Sequence, residues 1–231
     1  MDLDFIIKKG RKKSNQKRVC GMIKAIYGMA MPFNSCYVDS PNKESEPFIV
    51  EKTNEESVFF DEMVGITLQH DYEKHFGTTN QNLTIKVTDN GVYFRLIPNT
   101  PLGLSVYKKV KRSALRHCSL SFIVPKRIRN IEIEDSKAPF LKAIGMDSDF
   151  IVKEYKKIII YEICLTNGPA NEETFCTTDP NDKRLKGIDW DGQPLPKERI
   201  CNTDGLPYKE SLKQCLESTN QLIEIMKGLI K

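Results

Sequence analysis

The sequence predicts an α+β fold, and three observations carry that expectation. Residues 83–98 (LTIKVTDNGVYFRLIP) alternate apolar and polar side chains on both sides of an Asn90-Gly91 pair, the pattern of a β-hairpin. Residues 117–124 (HCSLSFIV) and 156–171 (KKIIIYEICLTNGPAN) are apolar strand-like runs, the second closed by Gly168-Pro169. Helical spacing is confined to residues 101–116 and to the tail beyond residue 208.

Residues 1–18 form a basic arm. Lys8, Lys9, Arg11, Lys12, Lys13, Lys17 and Arg18 are positive, Lys24 follows, and no acid occurs between Asp4 and Asp39. Such an arm is either solvated or docked on an acidic partner. RVCGMIKAIYGMAMPF is β-rich with two glycines and opens a sheet or barrel, and a polar stretch from Ser40 to Glu46 ends that segment. VGITLQHD (64–71) is a short apolar run ending in a His-Asp pair. Residues 101–116 predict a short helix with Leu104, Tyr107 and Val110 on one side.

A charged stretch from Pro125 to Asp149 separates the two apolar strands. Residues 176–207 carry Pro and Gly without periodicity and read as a loop or linker. In the tail, Leu212, Leu216, Leu222, Ile223, Met226 and Ile230 form an amphipathic helical stripe over 208–231. The expected division is therefore an arm (1–18), a main domain (19–175), a linker (176–207) and a terminal helix (208–231).

Composition limits the function classes. A chain of 231 residues, 39% apolar and 29% charged, suits a soluble globular protein with one substantial core. A net charge of +4 does not by itself indicate nucleic-acid binding. The apolar runs, such as 158–161, are too short to cross a bilayer, and the N-terminus lacks a signal-peptide layout. The seven cysteines (Cys20, Cys36, Cys118, Cys164, Cys176, Cys201 and Cys215) are odd in number, widely spaced and without a CxxC pair. That usage fits a reducing compartment.

Candidate chemistry centres on few residues. His70 ends an apolar strand beside Asp71, His75 lies in a polar stretch read as a loop, and His117 begins a strand. In HCSLSFIV, alternation puts Cys118, Leu120 and Phe122 on one face and His117, Ser119 and Ser121 on the other. Two serines spaced by two are either a solvated edge or a nucleophile on a rigid strand, and a nucleophile needs an imidazole within hydrogen-bond reach. His70 is the distant candidate for that base and His117 the one on the same strand. In KKIIIYEICLT, strict alternation groups Ile158, Ile160, Glu162 and Cys164 on one face and Ile159, Tyr161, Ile163 and Leu165 on the other. Neither face is polar, so Glu162 is expected to be buried, as a structural ion pair or as the acid that orients a catalytic imidazole.

Taken in order, four segments resemble the prohead serine protease family of tailed phages, itself distantly similar to the herpesvirus assemblins. They are GMIKAIYGMAMPF, ITLQHD, TDNGVYFRLIPNT followed by CSLSF, and YEICLTNGPAN. The resemblance runs from about Arg18 to Asn171, roughly two-thirds of the chain. The resemblance implies an α+β fold built on a small, mainly antiparallel β-barrel flanked by helices. It carries the catalytic histidine onto His70, the nucleophile onto Ser119 and the acidic position onto Glu162. Leu120, Ser121 and Cys164 depart from the family pattern, and Ser121 keeps the choice of nucleophile open.

The implied function is a serine endopeptidase that cleaves scaffold, major capsid protein and itself inside the assembling prohead, in the host bacterial cytoplasm. Ser119 would attack the scissile carbonyl with His70 as base and then acid, with no metal or organic cofactor, no membrane and no nucleic acid involved. Self-association is compatible with this role. The rival reading is a non-catalytic capsid-assembly or scaffold-binding module. Convergence of His70, Ser119 and Glu162 favours the enzyme.

Overall fold

The alternation of IYGMAMP becomes strand β1 (Ile26–Pro32), which buries Ile26, Gly28, Ala30 and Pro32 and leaves Tyr27, Met29 and Met31 half-buried. The structure is a computed structural model that describes residues 24–33, 37–39, 48–125, 131–133 and 150–203. The basic arm and the expected helix at 208–231 lie outside the described residues. β1 belongs to a first, antiparallel sheet ordered β12 (Phe175–Thr177), β1, β7 (Gly91–Leu96), β6 (Leu83–Thr88). A Cβ on Gly28 would stand 2.4 Å from the Phe175 carbonyl oxygen and 2.5 Å from the Phe94 ring, so only glycine fits there. In the expected hairpin, Thr88 pairs with Gly91, which makes the two-residue loop Asp89-Asn90 and puts Gly91 at the start of β7.

The second sheet is β2 (Tyr37–Asp39), β3 (Phe48–Lys52), β10 (Phe150–Glu154) and β9 (Ile131–Ile133), with β3 and β10 parallel. The third is β13 (Ile200–Cys201), β4 (Val58–Leu68), β11 (Ile158–Thr166) and β8 (His117–Ile123), with β5 (Asp71–Thr78) also on β4. β3 continues into β4 and β10 into β11, so two chain segments side by side contribute a parallel pair to each sheet. Asn54 caps the 3-10 turn that joins β3 to β4, and the Tyr155 N–H donates to the Lys52 carbonyl at 3.1 Å beside it. Most pairings are antiparallel, and one helix is described, so the fold is α+β. Among the described residues the strands form three open sheets rather than a closed barrel.

The helix α1 (Pro101–Lys111) begins where Thr100 accepts a hydrogen bond from the Gly103 N–H at 3.0 Å, with Pro101 at the first helical position. It buries Gly103, Val106 and Val110. The expected face was Leu104, Tyr107 and Val110, and Leu104 is instead 40% exposed. One core cluster joins Ile26, Val92 and Phe94 of the first sheet, Val106 and Val110 of α1, and Phe60, Ile66, Cys118, Ile160 and Leu165 of the third.

Two local departures from the sequence reading build the site. The stretch DYEKHFGT, read as a polar loop, is strand β5 and pairs His75 with Thr67. The strict alternation expected through β11 is broken at Tyr161, where the register shifts against both neighbours: Ile160 pairs with Phe122 and Glu162 with Ser121. A bulge of this kind adds one residue and re-aims the side chains beyond it. Ile158, Ile160, Ile163 and Leu165 therefore all enter the core, and Glu162 and Cys164 turn to the opposite face.

Candidate active site

On that opposite face, cross-strand pairs bring chemistry together. Glu162 faces Ser121 of β8 and Gly65 of β4, and Cys164 faces Ser119 and Thr67. The face sorting expected for β8 is the one observed, since Cys118 is in the core with Leu120 and Phe122 packed against it. Between β4 and β5 the chain reverses through Gln69 and His70, both left-handed (φ 57° and 55°), as a two-residue I′-type hairpin requires. Non-glycine residues adopt this region at a cost, and here two contacts to β11 hold it. The Gln69 N–H donates to the Leu165 carbonyl at 3.0 Å, and the His70 N–H points at the Cys164 sulfur at 2.9 Å.

The turn aims the His70 ring at Glu162, with Nδ1 2.9 Å from Oε2. The Ser121 hydroxyl donates to the same oxygen at 2.5 Å and lies 3.3 Å from Nδ1. The Thr67 hydroxyl donates to the other oxygen, Oε1, at 2.5 Å. Glu162 is 1% exposed, whereas the His70 side chain is 42% exposed, so a buried acid sits beneath an accessible imidazole. Burial alone would raise the Glu162 carboxyl, but hydrogen bonds from His70, Ser121 and Thr67 outweigh it and hold the group below its ordinary value. The Cys164 sulfur and then the Glu162 carboxylate push His70 up to about 10.

The three sequence-named residues fare differently. His70 and Glu162 are in direct contact. Ser119 is 8% exposed and lies two residues along β8, with no hydrogen bond to His70 among the described residues. It lines a cavity of about 180 Å³ beside the outer edge of β8, walled by Ala30, Met31, Leu120, Phe122 and Tyr155. Ser121 is the serine that meets both His70 and Glu162.

Of the other histidines, His117 spends Nδ1 on the Thr174 carbonyl at 2.8 Å. His75 is driven down to about 4 by burial. Thr67 was missed because ITL reads as an apolar run, and only the register of three strands puts its hydroxyl on the acid. Tyr72, whose phenol is raised by burial first and then by Tyr161 and Glu162, was missed with the rest of β5.

A strand-borne serine, an exposed imidazole and a buried carboxylate in mutual contact form an arrangement that can carry out acyl transfer. The model of the caudovirus prohead serine protease family matches residues 12–185, three-quarters of the chain. The chain belongs to that family and is a serine endopeptidase of phage capsid maturation. No curated protein and no solved structure gives a significant match.

Proposed function

We propose that Ser121 is the nucleophile, His70 the general base and acid, and Glu162 the group that stabilises the imidazolium. The observation carrying this reading is the Ser121 hydroxyl, 2.5 Å from Glu162 Oε2 and 3.3 Å from His70 Nδ1. With the neutral ring protonated on Nε2, the Nδ1 lone pair faces the hydroxyl. As Ser121 Oγ bonds to the scissile carbonyl carbon, its proton passes to Nδ1, and the new Nδ1–H is received by Glu162 Oε2. The carbonyl becomes an oxyanion, which collapses as Nδ1–H protonates the leaving amine. Water then repeats the sequence on the acyl-serine.

The outer edge of β8 supports a peptide substrate. At its start the Cys118 N–H and carbonyl both turn outward, to the Thr174 hydroxyl at 3.2 and 2.6 Å. By alternation the main-chain groups of Leu120 and Phe122 also face outward, along the cavity wall, where an extended chain can add as a strand. The substrates of this reading are scaffold, major capsid protein and the protease's own ends, processed inside the assembling prohead in the bacterial cytoplasm.

The test is co-expression with the phage's capsid and scaffold proteins, comparing wild type, Ser121→Ala and Ser119→Ala. Processing should stop in Ser121→Ala and continue in Ser119→Ala. The reverse pattern transfers the nucleophile to Ser119, the residue that the family resemblance favours. Processing that survives both substitutions sinks the site.

A further inference from the structure

Thr67 has a role that its place in an apolar run conceals. It is fully buried on the site face of β4, and its hydroxyl donates to Glu162 Oε1 at 2.5 Å. In register Thr67 stands opposite Cys164, so it reaches Glu162 diagonally, and the residue directly opposite Glu162 is Gly65, which has no side chain to intervene. Glu162 is 1% exposed, so Oε1 depends on a protein donor. The other oxygen is taken by both His70 and Ser121.

We propose that Thr67 is a positioning residue of the acyl-transfer site: its hydroxyl ties down Glu162 Oε1 so that Oε2 alone is presented to His70 and Ser121. The inference rests on the Ser121–His70–Glu162 reading above. Without the Thr67 donor the carboxylate can rotate, and its charged form loses one of three hydrogen bonds in a buried setting. The other groups facing Glu162 are His70 from the turn, Ser121 from β8, Tyr72 and His75 from β5, and Tyr161 and Cys164 from β11. Of these, His70 and Ser121 are both engaged at Oε2, on the far side of the carboxylate from Thr67.

The experiment uses the full chain and a fluorophosphonate probe, which phosphonylates an activated serine without needing the natural substrate. Labelling rates are measured across the pH range for wild type, Thr67→Val, Thr67→Ser and Ser121→Ala, alongside thermal melts. The Glu162 carboxyl is titrated by carbon-13 NMR in the same proteins. Thr67→Val keeps the side-chain shape and removes the donor, and Thr67→Ala stands in if the valine variant does not fold.

Labelling should slow roughly 10- to 100-fold in Thr67→Val, the Glu162 midpoint should rise by about one pH unit or more, and Thr67→Ser should restore both. An unmoved Glu162 midpoint in Thr67→Val overturns the proposal. So does a serine variant that labels as slowly as the valine one, because the methyl group and not the hydroxyl would then matter. Failure of wild type to label, or labelling that persists in Ser121→Ala, counts against the nucleophile. The Glu162 titration then still decides the Thr67 role.

Discussion

At the scale of single residues, Glu162 accepts from three side chains while almost wholly shielded from water. A buried carboxylate in that position stays ionised only because the donors surround it. Glu162→Gln keeps the shape and removes the charge. It should reduce processing by about 10²- to 10⁴-fold, through loss of imidazolium stabilisation. It should also bring the His70 titration, followed by nitrogen-15 NMR, down from about 10 toward the ordinary 6.5. A His70 midpoint that stays put in the glutamine variant would remove Glu162 from the site.

The raised His70 also separates the pH of activity from that of stability. His70 titrates above its ordinary 6.5, so its stabilising contribution is complete below that value and lost as pH rises through about 10. Glu162 titrates below its ordinary 4.5, so its contribution is complete above that value and lost as pH falls through its lowered one. Activity needs neutral imidazole, whose fraction grows about tenfold per pH unit below the His70 midpoint. Labelling by the fluorophosphonate should therefore climb into the alkaline range, while the excess melting temperature of wild type over Glu162→Gln shrinks there. A rate plateau reached near pH 7 would contradict the raised value.

At the scale of elements, the Tyr161 bulge decides which way Glu162 faces. Upstream of it Ile158 and Ile160 fill the core, downstream Ile163 and Leu165 do, and an unbroken strand that keeps Tyr161 cannot satisfy both sets. Deleting Tyr161 removes the extra residue and leaves Ile158, Ile160, Ile163 and Leu165 in one alternating register, with Glu162 and Cys164 still on the opposite face. The deletion variant should therefore keep a cooperative melt, shifted only by the local re-pairing with β4 and β8. Tyr161→Ala preserves the residue count and should melt as a folded protein. A deletion variant that loses its cooperative melt would show that Tyr161 does more than set the register of β11.

The same element marks the limit of what the residues alone reveal. The face sorting of β8 was legible, because the strand keeps a clean period of two between Cys118 and Phe122. The burial of Glu162 was legible as well, from an acid amid isoleucines. Its direction was not, since a bulge leaves no mark in an all-apolar run. β5 was not legible either. It lies at an edge of β4 with Glu73 and Lys74 exposed, and its apolar residues are confined to one end. Thr67 and Ser121 acquire meaning only from pairings between strands 41 to 95 residues apart, which local patterns do not encode.

At the scale of the whole molecule, the segment after β12 bears on stability rather than chemistry. Residues 178–199 form two 3-10 turns, at Lys183–Leu185 and Lys197–Arg199, before β13 joins the third sheet. Leu185, Ile188 and Trp190 pack with Tyr27, Tyr93 and Phe175 on the first sheet, on the side away from the main core. Lys86 Nζ donates to the Gly192 and Gln193 carbonyls at 2.9 and 2.7 Å, which pins the segment where it turns away. The family match ends at residue 185, inside this stretch.

The segment's attachment can be read directly, because Trp190 is the one tryptophan in the sequence and its ring lies 5.4 Å from that of Tyr27. Leu185→Ala removes a side chain that is 4% exposed and should cost about 2–4 kcal/mol, with Trp190 emission moving to longer wavelength as the segment lifts. Lys86→Ala removes only the clamp and should cost about 1 kcal/mol or less, with a smaller shift of the same sign. Because Ser121, His70 and Glu162 sit on the third sheet, fluorophosphonate labelling at a temperature where both variants remain folded should match wild type. Unchanged emission in Leu185→Ala would mean that the segment is held by something other than this apolar cluster. A labelling rate that falls with the emission shift would instead tie the segment to the active site.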